Sequence, residues 1–168
     1  MTRKRSWQGR VFEDFEVGDV YRHPSGRTIT QADNVCLTLL TLNTNPIHLD
    51  AAFAAQTEFG RPLVDSTLTL AVVTGLSVAD VSQNGINLGW DEVRLPHPVF
   101  EGDTLYAESE VVEARASRSR PGSGIVLVKT TGTNQEGAVV IEFLRTVMVY
   151  RRGHVPRPRR PARRDARR

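Results

Sequence analysis

The chain has 168 residues, a mass of 18.7 kDa and 39% hydrophobic residues, enough to bury one core and too apolar for wholesale disorder. Its net charge of +3 is unevenly spread, because residues 151–168 hold nine arginines and one aspartate and the rest of the chain is net acidic. No stretch approaches the ~18 apolar residues of a membrane span, no apolar signal region opens the chain, and a single cysteine, Cys36, cannot close an intrachain disulfide; a reducing cytoplasm is the expected setting.

Residues 1–7 are expected as a flexible N-terminus, 8–152 as one domain and 153–168 as a disordered Arg/Pro-rich tail. Neither aromatic residues nor a docking element accompany the tail charge, so nucleic acid is not an expected partner. Val11 to Val20, with Phe12, Phe15 and Val17, reads as a strand or loop lead-in, followed by Thr28-Ile29-Thr30 beyond a Pro24-Ser25-Gly26 turn. Gln31 to Leu42 has helical spacing of Ala32, Val35, Cys36, Leu39 and Leu40, with Thr30 and Asp33 placed as a capping box. That spacing predicts a buried Cys36. Asn45-Pro46 breaks the helix, and Leu49 to Phe59 predicts a second, short one ended by Gly60. Ser66 to Val81 is apolar nearly all round, the mark of a buried helix.

Beyond Gly85 the pattern turns to strands. Trp90–Leu95, Thr104–Ala114, Gly124–Thr133 and Val139–Tyr150 are rich in Val, Ile, Thr and Tyr, and glycine-containing turns separate the last three, which predicts an antiparallel meander. Together the elements predict an α+β domain whose sheet curls around one buried helix.

The stretch Asn43-Thr-Asn45-Pro46-Ile-His48-Leu-Asp50 is the most informative for chemistry. Pro46 holds Asn45 extended and so fixes the relation of Asn43 to His48. A neutral imidazole near pH 7 is the usual base for activating water, and an amide five residues upstream can orient that water; a histidine in such a turn also serves structure alone. The chain has no Gly-x-Gly-x-x-Gly, Walker loop or Cys/His cluster with metal spacing, so no dinucleotide, ATP or zinc site is expected.

With Arg94-Leu-Pro-His-Pro-Val-Phe-Glu-Gly-Asp-Thr-Leu105, these residues resemble the MaoC-like dehydratase family, which includes the (R)-specific enoyl-CoA hydratases of the hotdog fold, over about residues 10–152. The family signature is Asp-x-Asn-Pro-x-His-x-Asp, and Asn45, Pro46, His48 and Asp50 stand at its matching places. Asn43 replaces the family's catalytic aspartate, and Asp65-Ser66 replaces a His-Gly at the start of the buried helix. These departures, with Leu40-Thr-Leu-Asn-Thr-Asn-Pro, Gly60-Arg-Pro-Leu-Val-Asp-Ser and Ser117-Arg-Ser-Arg-Pro, resemble the branch that hydrates itaconyl-CoA or mesaconyl-CoA.

The resemblance implies reversible addition of water across the α,β double bond of an acyl thioester. His48 would act as the base, Asn43 as the second site group and the Ser66 N–H as oxyanion donor, with no cofactor beyond the substrate's own CoA. Asp65 is an alternative second proton-transfer group, and equally an N-cap. Arg94, Arg118 and Arg120 are candidate contacts for the CoA phosphates, or solvated charges. Two carboxylates about 4 Å apart repel by ~1 kcal/mol in water and ~4 kcal/mol at an effective dielectric of 20. Asn43 in place of aspartate therefore suggests a substrate carrying its own carboxylate. A hotdog thioesterase using Asp50 or Asp65, and a non-catalytic acyl-CoA-binding subunit, are the alternatives. Unpaired strand edges predict a homodimer or larger homo-oligomer.

Overall fold

The computed structural model describes residues 7–157. In chain order the elements are strands β1 (Val20–Arg22) and β2 (Arg27–Thr28), helices α1 (Gln31–Leu40), α2 (Ala51–Ala54) and α3 (Ser66–Leu76), and strands β3 (Gly85–Arg94), β4 (Thr104–Ala116), β5 (Ser123–Thr133) and β6 (Val139–Tyr150). A 3-10 turn over Pro46–His48 precedes α2, and a π-helical turn over Val78–Ser82 follows α3. None of the described helices is long and apolar enough to cross a membrane.

The sheet order is β1-β4-β5-β6-β3, with β2 also paired to β4 and all pairings antiparallel. Strands β4, β5 and β6 form the predicted meander; β3 does not join it beside β4. It lies instead on the outer side of β6, with Gly85 opposite Val149 and Trp90 opposite Arg145. The physical reason lies in residues 95–103, where Pro96 and Pro98 withhold ladder donors and the chain crosses to the opposite flank of the sheet, touching Leu63 through a bridge at Phe100. Helix α3 packs on the sheet through Leu68 and Val73, in a core with Ile29, Val64, Val99, Leu105, Val140, Ile141 and Phe143. At its closest approach a Cβ added to Gly132 would stand 2.7 Å from Val73, so the helix lies nearly on the strand backbone.

Helix α1 is present and capped as predicted, Thr30 and Asp33 each bonding the other's backbone N–H, but its orientation differs. Its buried residues are Asn34 and Thr38, while Leu39 and Leu40 are 64% and 82% exposed and Cys36 is exposed. The inward face is polar because it serves hydrogen bonds described below. Residues 49–59 form one short helical turn, not a longer helix, since Asp50 caps only Ala51–Ala54. Helix α3 is buried on one face only; Thr67, Ala71 and Gly75 are exposed.

The C-terminal end of α3 is tied down by Arg145 of β6. Its buried guanidinium donates to Asn87 Oδ1 (2.7 Å), Ser77 Oγ (2.9 Å) and Ser82 Oγ (3.0 Å). Trp7, placed by the sequence in a flexible N-terminus, donates its indole N–H to Ala79 O at 3.1 Å. Residues 1–6 and the arginine-rich segment from 158 lie outside the described residues.

Candidate active site

The site forms where three backbone segments meet. Helix α1 ends in a Schellman motif: the Asn43 N–H donates to Thr38 O (2.9 Å) and the Leu42 N–H to Leu39 O (3.4 Å). Leu42 occupies the left-handed position of that motif, with φ +57°, where glycine is usual, and its side chain is 83% exposed. The motif delivers Asn43 directly onto the Asn45-Pro46 turn. Asn45 is extended ahead of the proline and caps the turn by accepting from Ile47 N–H, and Pro46 starts it without needing a donor.

His48 closes the turn and points at the segment leading into α3. Its Nδ1 lies 2.9 Å from Leu63 O. A carbonyl only accepts, so Nδ1 carries a proton, and in the neutral form of the ring Nε2 presents its lone pair. Among the described residues no group is bonded to Nε2. The imidazole is thus oriented and its basic nitrogen is open.

Asn34, which belongs to no sequence motif, joins the three segments. Buried on α1, it donates from Nδ2 to His48 O (3.3 Å) and Leu63 O (3.1 Å) and accepts from Asp65 N–H at Oδ1 (2.8 Å). Its helical neighbours Thr30, Gln31 and Thr38 are polar too, so periodicity gives no sign that this face is buried.

Asp65 is the N-cap of α3, its Oδ1 accepting from the Thr67 N–H (2.7 Å) and hydroxyl (2.6 Å). Its Oδ2 accepts from Asn43 Nδ2 at 2.6 Å. Burial pushes this carboxyl up, but the hydrogen bonds from Thr67 and Asn43, with the field of His48, outweigh it and hold the pKa below the ordinary carboxylate range. Ser66 follows at the first helical position. Its N–H has no acceptor one turn back, and the Asp65 side chain takes that of Thr67 instead, so the Ser66 N–H is open.

Asn43, His48, Asp65 and Ser66 lie close together in the structure, and two expectations change. The negative charge absent from position 43 has not left the site; it sits behind the Asn43 amide, on Asp65. Asp50 and Asp65, the carboxylates a thioesterase would need, are both engaged as N-caps, Asp50 with Phe53 N–H at 3.0 Å.

The arginines separate. Arg118 and Arg120 lie in the turn between β4 and β5, whereas the site lies near the opposite end of β4, where Val64 pairs with Val99 and β2 with Thr104. A strand of 13 residues spans ~40 Å, which removes both from this site within one protomer. Arg94 ends β3 opposite Glu142, near the start of β6. Arg61, not among the arginines expected to bind phosphate, stacks 3.8 Å from the Phe100 ring, beside the bridge to Leu63. Among the described residues no three His, Cys, Asp or Glu side chains are grouped as a metal site.

The chain is similar to known proteins in sequence and in fold. A family model for mesaconyl-CoA hydratase matches residues 2–159. The mesaconyl-CoA hydratase of Cereibacter sphaeroides is 36% identical over 145 residues, 86% of this chain and 42% of that protein. A solved structure from Chloroflexus aurantiacus, described as a MaoC domain protein dehydratase, superposes with a TM-score of 0.84 at 34% identity, covering 95% of this chain and 46% of that one. A Mycobacterium tuberculosis protein described as a double hotdog fold superposes with a TM-score of 0.79 at 25% identity, covering 90% of this chain and 47% of that one. The α+β hotdog architecture expected from the sequence is thus the observed one. The chain spans about two fifths of the length of the mesaconyl-CoA hydratase and beta-methylmalyl-CoA dehydratase relatives it matches.

Proposed function

The chain belongs to the mesaconyl-CoA hydratase family, and on that premise we propose that it adds water reversibly across the α,β double bond of a short enoyl-CoA bearing its own carboxylate, of the mesaconyl type. The observation that carries this reading is His48, whose Nδ1–H is fixed on Leu63 O so that Nε2 is the open base. In the proposed step a water held by the Asn43 amide gives a proton to His48 Nε2 as its oxygen bonds to the β-carbon. The electron pair of the double bond moves toward the thioester oxygen, where the Ser66 N–H at the start of α3 stabilises the enolate. The imidazolium then returns a proton to the α-carbon. An amide does not transfer protons, so one base serves both transfers. CoA enters as part of the substrate, with no further cofactor, and Arg61 and Arg94 are its proposed phosphate contacts.

The proposed assembly is a homodimer through β3. Among the described residues that strand is paired on one side only, with β6, and exposes Ile86, Leu88 and Trp90 at 43%, 55% and 42%. Such an edge invites a second strand, and a second unit of similar size accompanies the matched part in the double hotdog relative.

Purified protein offered mesaconyl-CoA and crotonyl-CoA, followed by loss of enoyl absorbance and product analysis, tests the activity. Hydration of both with the higher kcat/KM on mesaconyl-CoA is expected; better turnover of crotonyl-CoA ends the carboxylate reading, and release of free CoA thiol ends the hydratase reading.

A further inference from the structure

We propose that Asp65 is a positioning residue that acts through Asn43: carboxylate and amide form one unit, and the carboxylate decides which face of the amide meets the reacting atoms. The kinetic part of this inference rests on the hydratase reading; the structural part rests on geometry alone.

The two ends of an amide are nearly the same in shape, so only its partners fix its orientation. An ionised carboxylate accepts and does not donate. The nitrogen end of Asn43 must therefore face Asp65 Oδ2, at 2.6 Å, while its Oδ1 accepts from the Asn45 N–H at 3.1 Å. Asp65 in turn cannot swing toward a substrate: it is 2% exposed, both Thr67 donors hold Oδ1, and Asn34 holds its main-chain N–H. What the site sees is the second N–H and the remaining oxygen lone pair of Asn43, which is only half-buried. Asp65 sets both without touching the substrate. The groups facing the pair are Asn34 from α1, His48 from the 3-10 turn and Thr67 from α3, and of these only His48 titrates.

Four proteins test the inference: the natural chain, Asp65→Asn, Asn43→Asp, and the double variant Asn43→Asp with Asp65→Asn, which reverses the pair. Asp65→Asn turns an amide nitrogen against either Asn43 Nδ2 or the Thr67 donors and leaves the Asn45 N–H alone to orient Asn43, so kcat should fall about 10- to 100-fold with KM within about three-fold. Asn43→Asp places two carboxylates at hydrogen-bond distance, where one holds its proton to a raised pKa. A raised folded-state carboxyl pKa stabilises the acid form, so this variant should lose melting temperature relative to the natural chain as pH rises from 5 to 8. The reversed pair should recover melting temperature at pH 8 and regain at least about ten-fold in kcat over Asn43→Asp, because each change cancels the defect of the other. Melting-temperature changes at pH 8 that simply add, or an Asp65→Asn kcat within two-fold of the natural chain, would overturn the inference. The melting arm needs no substrate. If the natural chain hydrates no enoyl-CoA while the two positions remain coupled in melting, the hydratase reading falls and the pairing of Asp65 with Asn43 stands.

Discussion

Two histidines mark the two ends of α3, and they differ in one valence. At the C-terminal end His23 is buried; its Nδ1–H donates to Asp80 at 2.9 Å and its Nε2 lies 3.0 Å from the hydroxyl of Ser109, which contacts Thr130 at 2.9 Å. By residue type this is an acid, a histidine and a serine in series, the constellation of a nucleophilic triad. Yet Ser109 is fully buried and both imidazole nitrogens are bonded, so the network ties the π-helical turn to β1, β4 and β5 and has nothing left to offer a substrate. At the N-terminal end His48 has one nitrogen fixed by a carbonyl and the other open. Catalytic residue types recur in a fold wherever polar groups must be satisfied, and it is the unspent donor or acceptor that separates a site from a clasp.

Exchanging the two histidines for alanine is the sharpest way to break that comparison. His48→Ala should lower turnover at least about 100-fold, the usual cost of losing a general base, with the melting temperature nearly unchanged. His23→Ala should do the reverse, leaving Asp80 and Ser109 short of a partner at about 2–3 kcal/mol, or about 5–10 °C in Tm, with kcat/KM per folded molecule preserved. Thermal melts beside kinetics on an enoyl-CoA decide it: His48→Ala keeping more than a tenth of activity, or His23→Ala losing activity without losing stability, removes the distinction.

The open N–H at Ser66 extends the same logic to the backbone. Ser66 is the first residue of α3, and Asp65 already has the extended conformation, φ −56° and ψ +131°, that a following proline requires. Ser66→Pro should therefore fold normally and cost about 100- to 1000-fold in kcat by deleting the oxyanion donor, while Ser66→Ala should stay near the natural rate. Equal losses in the two variants would assign the role to the hydroxyl.

Smallest of the expected effects is that of Leu42. A branched residue in the left-handed position costs about 1 kcal/mol, so Leu42→Gly should raise stability by up to that amount, read as a rise in Tm of about 2–4 °C. A fall in Tm would show that the exposed side chain is buried against a second protein unit.

Much of this was legible from local signals. Thr30 and Asp33 announced the start of α1, Asp65 the start of α3, and Asn45-Pro46-x-His48 a rigid turn, because caps and prolines act within a few residues of themselves. The alternation of Val, Ile and Thr gave β4, β5 and β6 for the same reason. Periodicity misjudged α1, where Asn34 and Thr38 face inward and Leu39 and Leu40 outward: hydropathy assumes that the buried face is apolar, and here that face carries the hydrogen bonds that assemble the site.

The sequence by itself determined the starts of α1 and α3, strands β4 to β6, the turn that presents His48 and the resemblance to a hydratase family. Only the tertiary structure decided that β3 lies beyond β6, that Arg118 and Arg120 sit at the wrong end of the sheet, and that Asn43 has a carboxylate behind it. Each of these depends on residues more than twenty positions apart being brought to within a few ångströms, as Asn43 and Asp65 are at 2.6 Å. Spacing along the chain carries no information about such pairs, because the packing of α1 and α3 on the sheet, and not the local sequence, sets which side chains meet.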